Sequence, residues 1–176
     1  RPLAYGSMGN DRPKWHWRQL PNNRPLYRLN KLKPEHHKRA VICEGEKAAD
    51  AAVNLFPENF VTCWAGGSKA IAKTDFSNLK GLDVLFWPDH DNAGQEAAAV
   101  LSKELKKVGI ERIQVINTKF FEQYKPVGNS DWLAGGSWPE KADAYEAIEL
   151  GWTAEHLTKA INQELLFEKR LLQEEP

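Results

Sequence analysis

The chain has 176 residues, of which 41% are hydrophobic and 27% charged, and its 24 Lys and Arg residues balance 24 Asp and Glu residues. This length suits one domain with a hydrophobic core and is too short for two catalytic domains. Because no apolar run approaches the roughly 20 residues of a membrane-spanning helix, we expect no membrane partner. Cys43 and Cys63 lie in apolar runs, which indicates buried, reduced thiols and a cytoplasmic location.

The charge is distributed unevenly along the chain. Residues 1–40 carry 10 Lys and Arg against 2 acids (+8), residues 41–128 carry 10 against 12 (−2), and residues 129–176 carry 4 against 10 (−6). A basic arm ahead of a neutral body can guide a polyanion past one end of the molecule. The alternative is a solvated linker that contains arginines. Because the chain begins with Arg1 and no targeting signal, we expect a fragment of a longer protein.

The basic N-terminal segment, residues 1–38, is rich in Pro, Arg and Asn and lacks a hydrophobic period, so it predicts loops and short extended pieces. Within it, cations alternate with two indoles at Lys14, Trp15, Trp17 and Arg18. This composition can bind single-stranded DNA, because cations pair with phosphates and indoles stack on bases. The alternative is that both tryptophans cover the core beneath an added β-ribbon.

From residue 39 onwards, short apolar runs alternate with helical patterns. Strands are predicted at residues 40–43, 60–64, 83–87 and 113–116, and helices at about 47–56 and 95–108. This alternation predicts a doubly wound α/β domain in which about four mostly parallel strands lie between helices. Beyond residue 128 the strands end and the pattern is helical, with C-terminal helices predicted at about 139–150 and 154–172.

Acidic residues follow two of the predicted strands. Glu44 comes directly after the first strand, and Asp89 and Asp91 come after the third. Because the carboxyl ends of parallel strands open into one crevice, we expect these carboxylates to lie together. Like charges in one crevice need a cation or a proton, and Mg²⁺ takes oxygen ligands while keeping waters that phosphate oxygens can replace. Alternatively, Asp91 caps the helix that follows it.

Two further turns are candidates for phosphate binding. Lys47 follows the acidic turn, and Gly66, Gly67 and Lys69 follow the second strand. Backbone amides and lysines in such turns can contact phosphate. The alternatives are a solvated helix lysine and an ordinary glycine turn.

Two segments carry a family resemblance, VICEGEKAAD at residues 41–50 and VLFWPDHDNAG at residues 84–94. Together they resemble the Toprim signature of bacterial-type primases, topoisomerases and related nucleases. Within that superfamily they are most similar to primases and primase-helicases of phages and mobile elements, where an aromatic residue or Trp-Pro precedes Asp-x-Asp and Ala-Gly follows it. The resemblance implies a Rossmann-like Toprim catalytic domain at residues 39–135, a lead-in segment at 1–38 and a C-terminal helical extension at 136–176.

The resemblance also implies a function. The chain would be a nucleotidyltransferase of DNA replication that makes RNA primers from ribonucleoside triphosphates on a single-stranded DNA template, in the cytoplasm of a bacterial host cell. A replicative helicase domain would be its partner. Glu44 would be the catalytic acid and base and a metal ligand, Asp89 and Asp91 would bind Mg²⁺, and Mn²⁺ would substitute for it. Asp131 matches a further Asp of these primases and is a further candidate metal ligand, and its alternative role is a helix N-cap.

Two departures from the family pattern narrow this expectation. Asn92 stands where many bacterial primases have Arg, so one phosphate contact is in doubt. Two cysteines cannot build the zinc ribbon that normally precedes a primase Toprim domain, so initiation of a primer by this chain alone is not expected.

A Toprim nuclease is an alternative, because the same metal cluster can cleave phosphodiesters. A non-catalytic module that binds single-stranded DNA or a helicase is another, and its DNA binding would survive Glu44→Gln and EDTA.

Overall fold

The computed structural model describes residues 3–5, 14–16 and 22–167. Its first strands, β1 (Leu3–Tyr5) and β2 (Lys14–His16), pair as an antiparallel ribbon. A four-stranded parallel sheet follows, in the order β4-β3-β5-β6. Its members are β3 (Arg39–Cys43), β4 (Phe60–Cys63), β5 (Asp83–Trp87) and β6 (Ile113–Val115). The predicted α/β class and parallel sheet are therefore confirmed.

Helices cover both faces of this sheet. They are α1 (Glu46–Leu55), α2 (Asn92–Lys107), α3 (Lys119–Gln123), α4 (Ala144–Glu149) and α5 (Ala154–Asn162). Because strand side chains alternate between faces, Val41 and Leu85 pack in a core with α1, α4 and α5. Ile42 and Phe86 point the other way and pack in a second core with α2. Burial on both faces explains why the strands are apolar almost throughout.

Part of the N-terminal segment belongs to the same core. Leu26 is buried, and the Tyr27 N–H donates to the carbonyl of Cys63 at 3.0 Å. The Thr62 hydroxyl donates to the Tyr27 carbonyl at 2.6 Å. The Arg24 N–H donates to the carbonyl of Lys73 at 2.8 Å. Tyr27 thus lies beside the end of β4, and Arg24 lies beside the segment that follows this strand.

The prediction that strands end at residue 128 is wrong. Strands β7 (Tyr124–Val127) and β8 (Asp131–Ala134) form an antiparallel hairpin. Gly128 has φ 59° in the turn, a conformation that glycine adopts without steric cost. These strands are short and pack at the periphery, so their sequence lacks the apolar run that marks a buried strand.

The C-terminal helices are shorter than predicted. Helix α4 begins at Ala144 because Asp143 caps it, and Lys141 at φ 62° interrupts any earlier helix. Helix α5 ends at Asn162, and Glu164 at φ 56° interrupts the predicted helix before residue 167, where the described residues end. Within the described residues, no helix has the length and apolar character of a membrane span.

Candidate active site

The crevice at the carboxyl ends of β3 and β5 holds the first two acids. These strands are neighbours in register, with Cys43 opposite Trp87, so the residues that follow them emerge side by side. The strand order also reverses between β3 and β5, which is the point where open α/β sheets bind ligands. The Oε1 atom of Glu44 accepts a hydrogen bond from the Asp89 N–H at 3.0 Å. The structure therefore brings together Glu44 and Asp89, as their positions after strands predict.

Asp91 caps the helix that follows this loop. Its Oδ1 atom accepts the Gly94 N–H at 2.7 Å, so the alternative of an N-cap is confirmed. The charge of Asp91 nevertheless contributes to the rise in the pKa of Glu44. Asp91 can therefore cap α2 with Oδ1 and still belong to the acidic cluster, because its second carboxylate oxygen is not used by the cap.

Gly94 permits the close approach of these groups. A Cβ atom at this position would collide with the Asp89 carbonyl and would lie 2.9 Å from Oε1 of Glu44. Gly94 is buried in the first turn of α2, where any side chain would push Glu44 or the Asp89 backbone aside. Sequence reasoning did not identify Gly94 as a site residue, although a glycine inside a helix is a recognisable signal of such contact.

Two acids that the sequence analysis missed also border the crevice. Asp143 caps α4 by accepting the Tyr145 N–H at 2.6 Å, and Glu146 accepts the Asp143 N–H at 3.0 Å in a capping box. Paired backbone hydrogen bonds tie this segment to the Asp89 loop, from the His90 N–H to the Ala142 carbonyl and from the Lys141 N–H to the His90 carbonyl, each 3.1 Å long. The Asp-x-x-Glu pattern was a visible capping signal, but its location beside Asp89 was not.

Burial, and to a lesser extent neighbouring acids, raise the pKa values of three carboxylates in the crevice. Burial, and then the charges of Glu44 and Asp143, raise the pKa of Asp89 to about 7. Burial also raises the pKa of Glu44, against the opposing effect of its bond from the Asp89 N–H. The pKa of Asp143 is raised by burial and by Glu146, and lowered by Lys47. The crevice thus holds more negative charge than its surroundings compensate, and a proton or a cation would relieve it.

Lys47 lies at the rim of the acidic crevice. Its Nζ atom is 3.8 Å from Oε1 of Glu146 and 3.4 Å from the centroid of the Tyr145 ring. The side chain is mostly exposed. Lys47 therefore lies beside the acidic residues, where it could contact a ligand bound in the crevice. Phosphate binding by Lys47 remains a prediction.

His90 points away from the two aspartates that flank it. Its Nδ1 atom lies 2.7 Å from Oγ1 of Thr118, and its Nε2 atom lies 2.9 Å from Oε1 of Glu122. These contacts attach the Asp89 loop to Thr118, the residue before α3, and to Glu122 within α3. His90 is therefore an anchor of the loop.

The glycine turn after β4 has a structural explanation. Gly66 has φ 106° and Gly67 φ 73°. The Arg24 guanidinium occupies the space of a Gly66 Cβ and donates to the Ala65 carbonyl at 3.0 Å. The Trp64 indole donates to the Gly67 carbonyl at 2.9 Å. The positive φ explains both glycines, and the Arg24 guanidinium leaves no room for a Cβ at Gly66. Phosphate binding by this turn and the exposed Lys69 remains a prediction.

Asp131 lies apart in an ion pair of its own. It belongs to β8, so its predicted alternative as a helix N-cap is wrong. Lys159 forms a salt bridge with it and lowers its pKa. The same Lys159 Nζ lies 5.3 Å from the centroid of the Trp132 ring. Asp143, rather than Asp131, is the later acid whose charge acts on Glu44 and Asp89.

The predicted DNA-binding residues of the N-terminal segment are only partly described. Lys14 and Trp15 lie in β2, of which the backbone alone is described. Trp17 and Arg18 lie outside the described residues. The backbone contains the β-ribbon that the alternative required, and DNA binding by these four residues stays a prediction.

The carboxylates fit Mg²⁺ in chemistry but are not arranged around a coordination point. Within the described residues, no three His, Cys, Asp or Glu side chains form a metal-binding group. The donors are oxygens, which Mg²⁺ prefers. Burial raises the pKa values of Glu44, Asp89 and Asp143, and neighbouring carboxylates add to the rise, so a cation bound among them would favour their charged forms. Glu44, Asp89, Asp91 and Asp143 are therefore the residues that would hold this ion.

No protein-family model, curated protein or solved structure matches the chain. A parallel sheet covered by helices on both faces is consistent with a Rossmann-like fold, and such folds host many unrelated activities. Function must therefore be inferred from the acidic crevice and its surroundings.

Proposed function

We propose that this chain contains the Toprim catalytic domain of a phage-type DNA primase, which adds ribonucleotides to a primer on a single-stranded DNA template. The observation that carries the proposal is the meeting of Glu44, Asp89, Asp91 and Asp143 at the carboxyl ends of β3 and β5. Transfer of a nucleotidyl group builds negative charge at phosphate oxygens, and a carboxylate site that binds Mg²⁺ is suited to stabilising it.

Each acid has a proposed role in this reaction. Asp89 and Asp91 would bind Mg²⁺, which Mn²⁺ would replace, and Asp143 would add charge to the same site. Bound Mg²⁺ would orient a triphosphate and stabilise charge on its oxygens. Glu44 has a raised pKa and is held by the Asp89 N–H, so it is suited to taking the proton of an attacking 3′ hydroxyl. Lys47 would contact a phosphate oxygen at the rim.

The N-terminal segment is proposed to bind the template, and a replicative helicase domain is the proposed protein partner. Residues 1–40 carry a net charge of +8, from 10 Lys and Arg against 2 acids, opposite in sign to the DNA backbone. Trp15 and Trp17 would stack on bases of the single strand. Binding by this segment should therefore weaken as the salt concentration rises.

The test is Mg²⁺-dependent incorporation of labelled ribonucleotides. A template that already carries a primer should be used, because initiation is expected to need a zinc ribbon that this chain lacks. We expect Asp89→Asn and Glu44→Gln each to reduce incorporation on the order of 10²-fold or more. Asp83→Asn is the matched control, since Asp83 begins the same strand at its opposite end and pairs with Arg112 at 2.8 Å.

Other results would select a different function. Metal-dependent cutting of a labelled DNA strand without incorporation would replace the primase with a Toprim nuclease. Absence of both reactions, together with DNA binding that survives EDTA and Glu44→Gln, would leave a non-catalytic binding module. Equal activity in Asp89→Asn, Asp83→Asn and the unaltered chain would contradict any catalytic role for the crevice.

A further inference from the structure

A cavity of about 840 Å³ opens beside the acidic crevice. It is bordered by Pro88, the residue before Asp89, and by Gln95 in the first turns of α2. Val115 and Asn117 line it at the carboxyl end of β6. The cavity therefore lies at the same edge of the sheet as the carboxylates, on the β6 side. Its volume falls within the range of about 300–1,000 Å³ that is typical of small-molecule sites.

The lining of this cavity is mostly uncharged. Lys119 and Glu164 are the only charged side chains among its described lining residues. A site for the phosphates of a nucleic-acid backbone would need several cations. The cavity suits a neutral, polar group, whereas the crevice beside it suits the charged part of the same ligand.

Three of the residues that line the cavity, Gln95, Gln123 and Gln163, are exposed and carry side-chain amides. These amides make no hydrogen bond to another residue in the part of the chain that the structure describes. An amide offers both donors and an acceptor, which matches the edges of nucleobases. Their polar groups are thus available to a ligand.

An aromatic pair lines the same cavity. The rings of Phe120 and Tyr124 lie with their centroids 5.1 Å apart, and Tyr124 is partly exposed while Phe120 is buried. A base can stack on an aromatic side chain whatever its identity. The cavity therefore combines an aromatic surface with groups that could read a base edge.

We propose that this cavity is the nucleoside subsite of the crevice and holds the base and ribose of an incoming ribonucleoside triphosphate. The triphosphate would then extend past Pro88 to Glu44, Asp89 and Asp143. The identity of the ligand in this inference rests on the proposed function. The placement of its base rests on the position and lining of the cavity.

The test compares three probes that share parts of one ligand: ATP, adenosine and inorganic tripolyphosphate, each with Mg²⁺. Their dissociation constants can be measured by ligand-observed NMR, which detects weak binding. We expect the double substitution Gln95→Ala with Gln123→Ala to weaken ATP and adenosine binding about tenfold, as for the loss of two hydrogen bonds, and to leave tripolyphosphate binding unchanged. Asn54→Ala, which removes an exposed amide on α1, is the matched control.

The outcomes separate this inference from the proposed function. Unchanged ATP and adenosine binding in the double variant would overturn the nucleoside subsite, and so would failure of the unaltered chain to bind either of them. Loss of tripolyphosphate binding in Asp89→Asn would support the catalytic crevice independently. Adenosine binding that depends on the two glutamines, without any tripolyphosphate binding, would keep the cavity and reject the crevice. A double variant that loses affinity for a single-stranded DNA octamer but not for ATP would assign the cavity to a template base and overturn the inference.

Discussion

At the scale of single residues, Gly94 provides a test in which two effects have opposite signs. Helix propensity alone predicts that Gly94→Ala stabilises α2 by about 1 kcal/mol. The new Cβ would instead collide with the Asp89 carbonyl and approach Oε1 of Glu44 at 2.9 Å. We therefore expect a net loss of about 1–3 kcal/mol in the free energy of unfolding, measured with urea.

The control for this prediction is Gly45→Ala. A Cβ at Gly45 meets no atom within 4 Å, and its φ of −137° is open to any residue. Its substitution should change the free energy of unfolding less than that of Gly94. A more stable Gly94→Ala variant would show that Glu44 and the Asp89 loop do not pack as described.

Asp89 gives the protein a predictable pH dependence. Its pKa is about 7 in the folded chain against an ordinary value of 3.8, so the folded state binds more protons than the unfolded state between these values. Stability without metal should therefore fall as the pH rises from about 4 to about 7, and stay reduced above that. Glu44 and Asp143, whose pKa values are also raised, act in the same direction.

Asp89→Asn should remove much of this pH dependence. In EDTA at pH 8, we expect the variant to be more stable than the unaltered chain by about 1–2 kcal/mol, a value reduced for the partial exposure of Asp89. Urea unfolding at pH 5, 6, 7 and 8 would measure it. Equal pH slopes for the two proteins would contradict the raised pKa of Asp89.

At the scale of secondary-structure elements, Asp143 combines the start of α4 with a place in the crevice. Asn caps helices as well as Asp does, whereas Ala loses about 1 kcal/mol. We expect Asp143→Asn to keep the thermal stability and Asp143→Ala to lose it. Both variants should bind Mg²⁺ about 10- to 100-fold more weakly, as is typical when a group that supports a metal site is removed. Mg²⁺ titrations of the melting temperature would measure this.

Thr153→Ala is the control that separates the effect of losing a helix cap from the effect of losing a negative charge. Thr153 caps α5 in a capping box of the same kind, with its side chain accepting the His156 N–H at 3.4 Å. Its loss should lower stability without changing the Mg²⁺ dependence. A wild-type Mg²⁺ dependence in Asp143→Asn would exclude Asp143 from the metal site.

At the scale of the whole molecule, residues 24–28 pack against β4, an edge strand of the sheet, and the segment that follows it. Leu26 is 4% exposed, and Arg24 and Tyr27 bond to the backbone of Lys73 and Cys63. A chain that begins at residue 30 should therefore be less stable than one that begins at residue 22, by about 3 kcal/mol or more from lost apolar burial and hydrogen bonds. Thermal and urea unfolding of the two chains would measure it, and equal midpoints would contradict this role.

The sheet and part of the crevice could be predicted from the sequence because their signals are local. Apolar runs mark the strands at residues 39–43, 60–63, 83–87 and 113–115. Alternation with helices requires those strands to be parallel, and parallel strands end at one edge. Glu44 directly follows β3, and Asp89 lies two residues after the end of β5, so their meeting needed no knowledge of distant contacts.

The remaining features depend on contacts between distant parts of the chain. Asp143 reaches the crevice because Lys141 and Ala142, just before it, are hydrogen-bonded to the backbone of His90. Asp131 lies in the β7–β8 hairpin and pairs with Lys159. The sequence by itself determined the parallel sheet and the acids at its edge, because side-chain period and strand polarity act over a few residues. Only the tertiary structure decided which later acid joins them, because that choice depends on how the chain beyond residue 128 packs against the sheet.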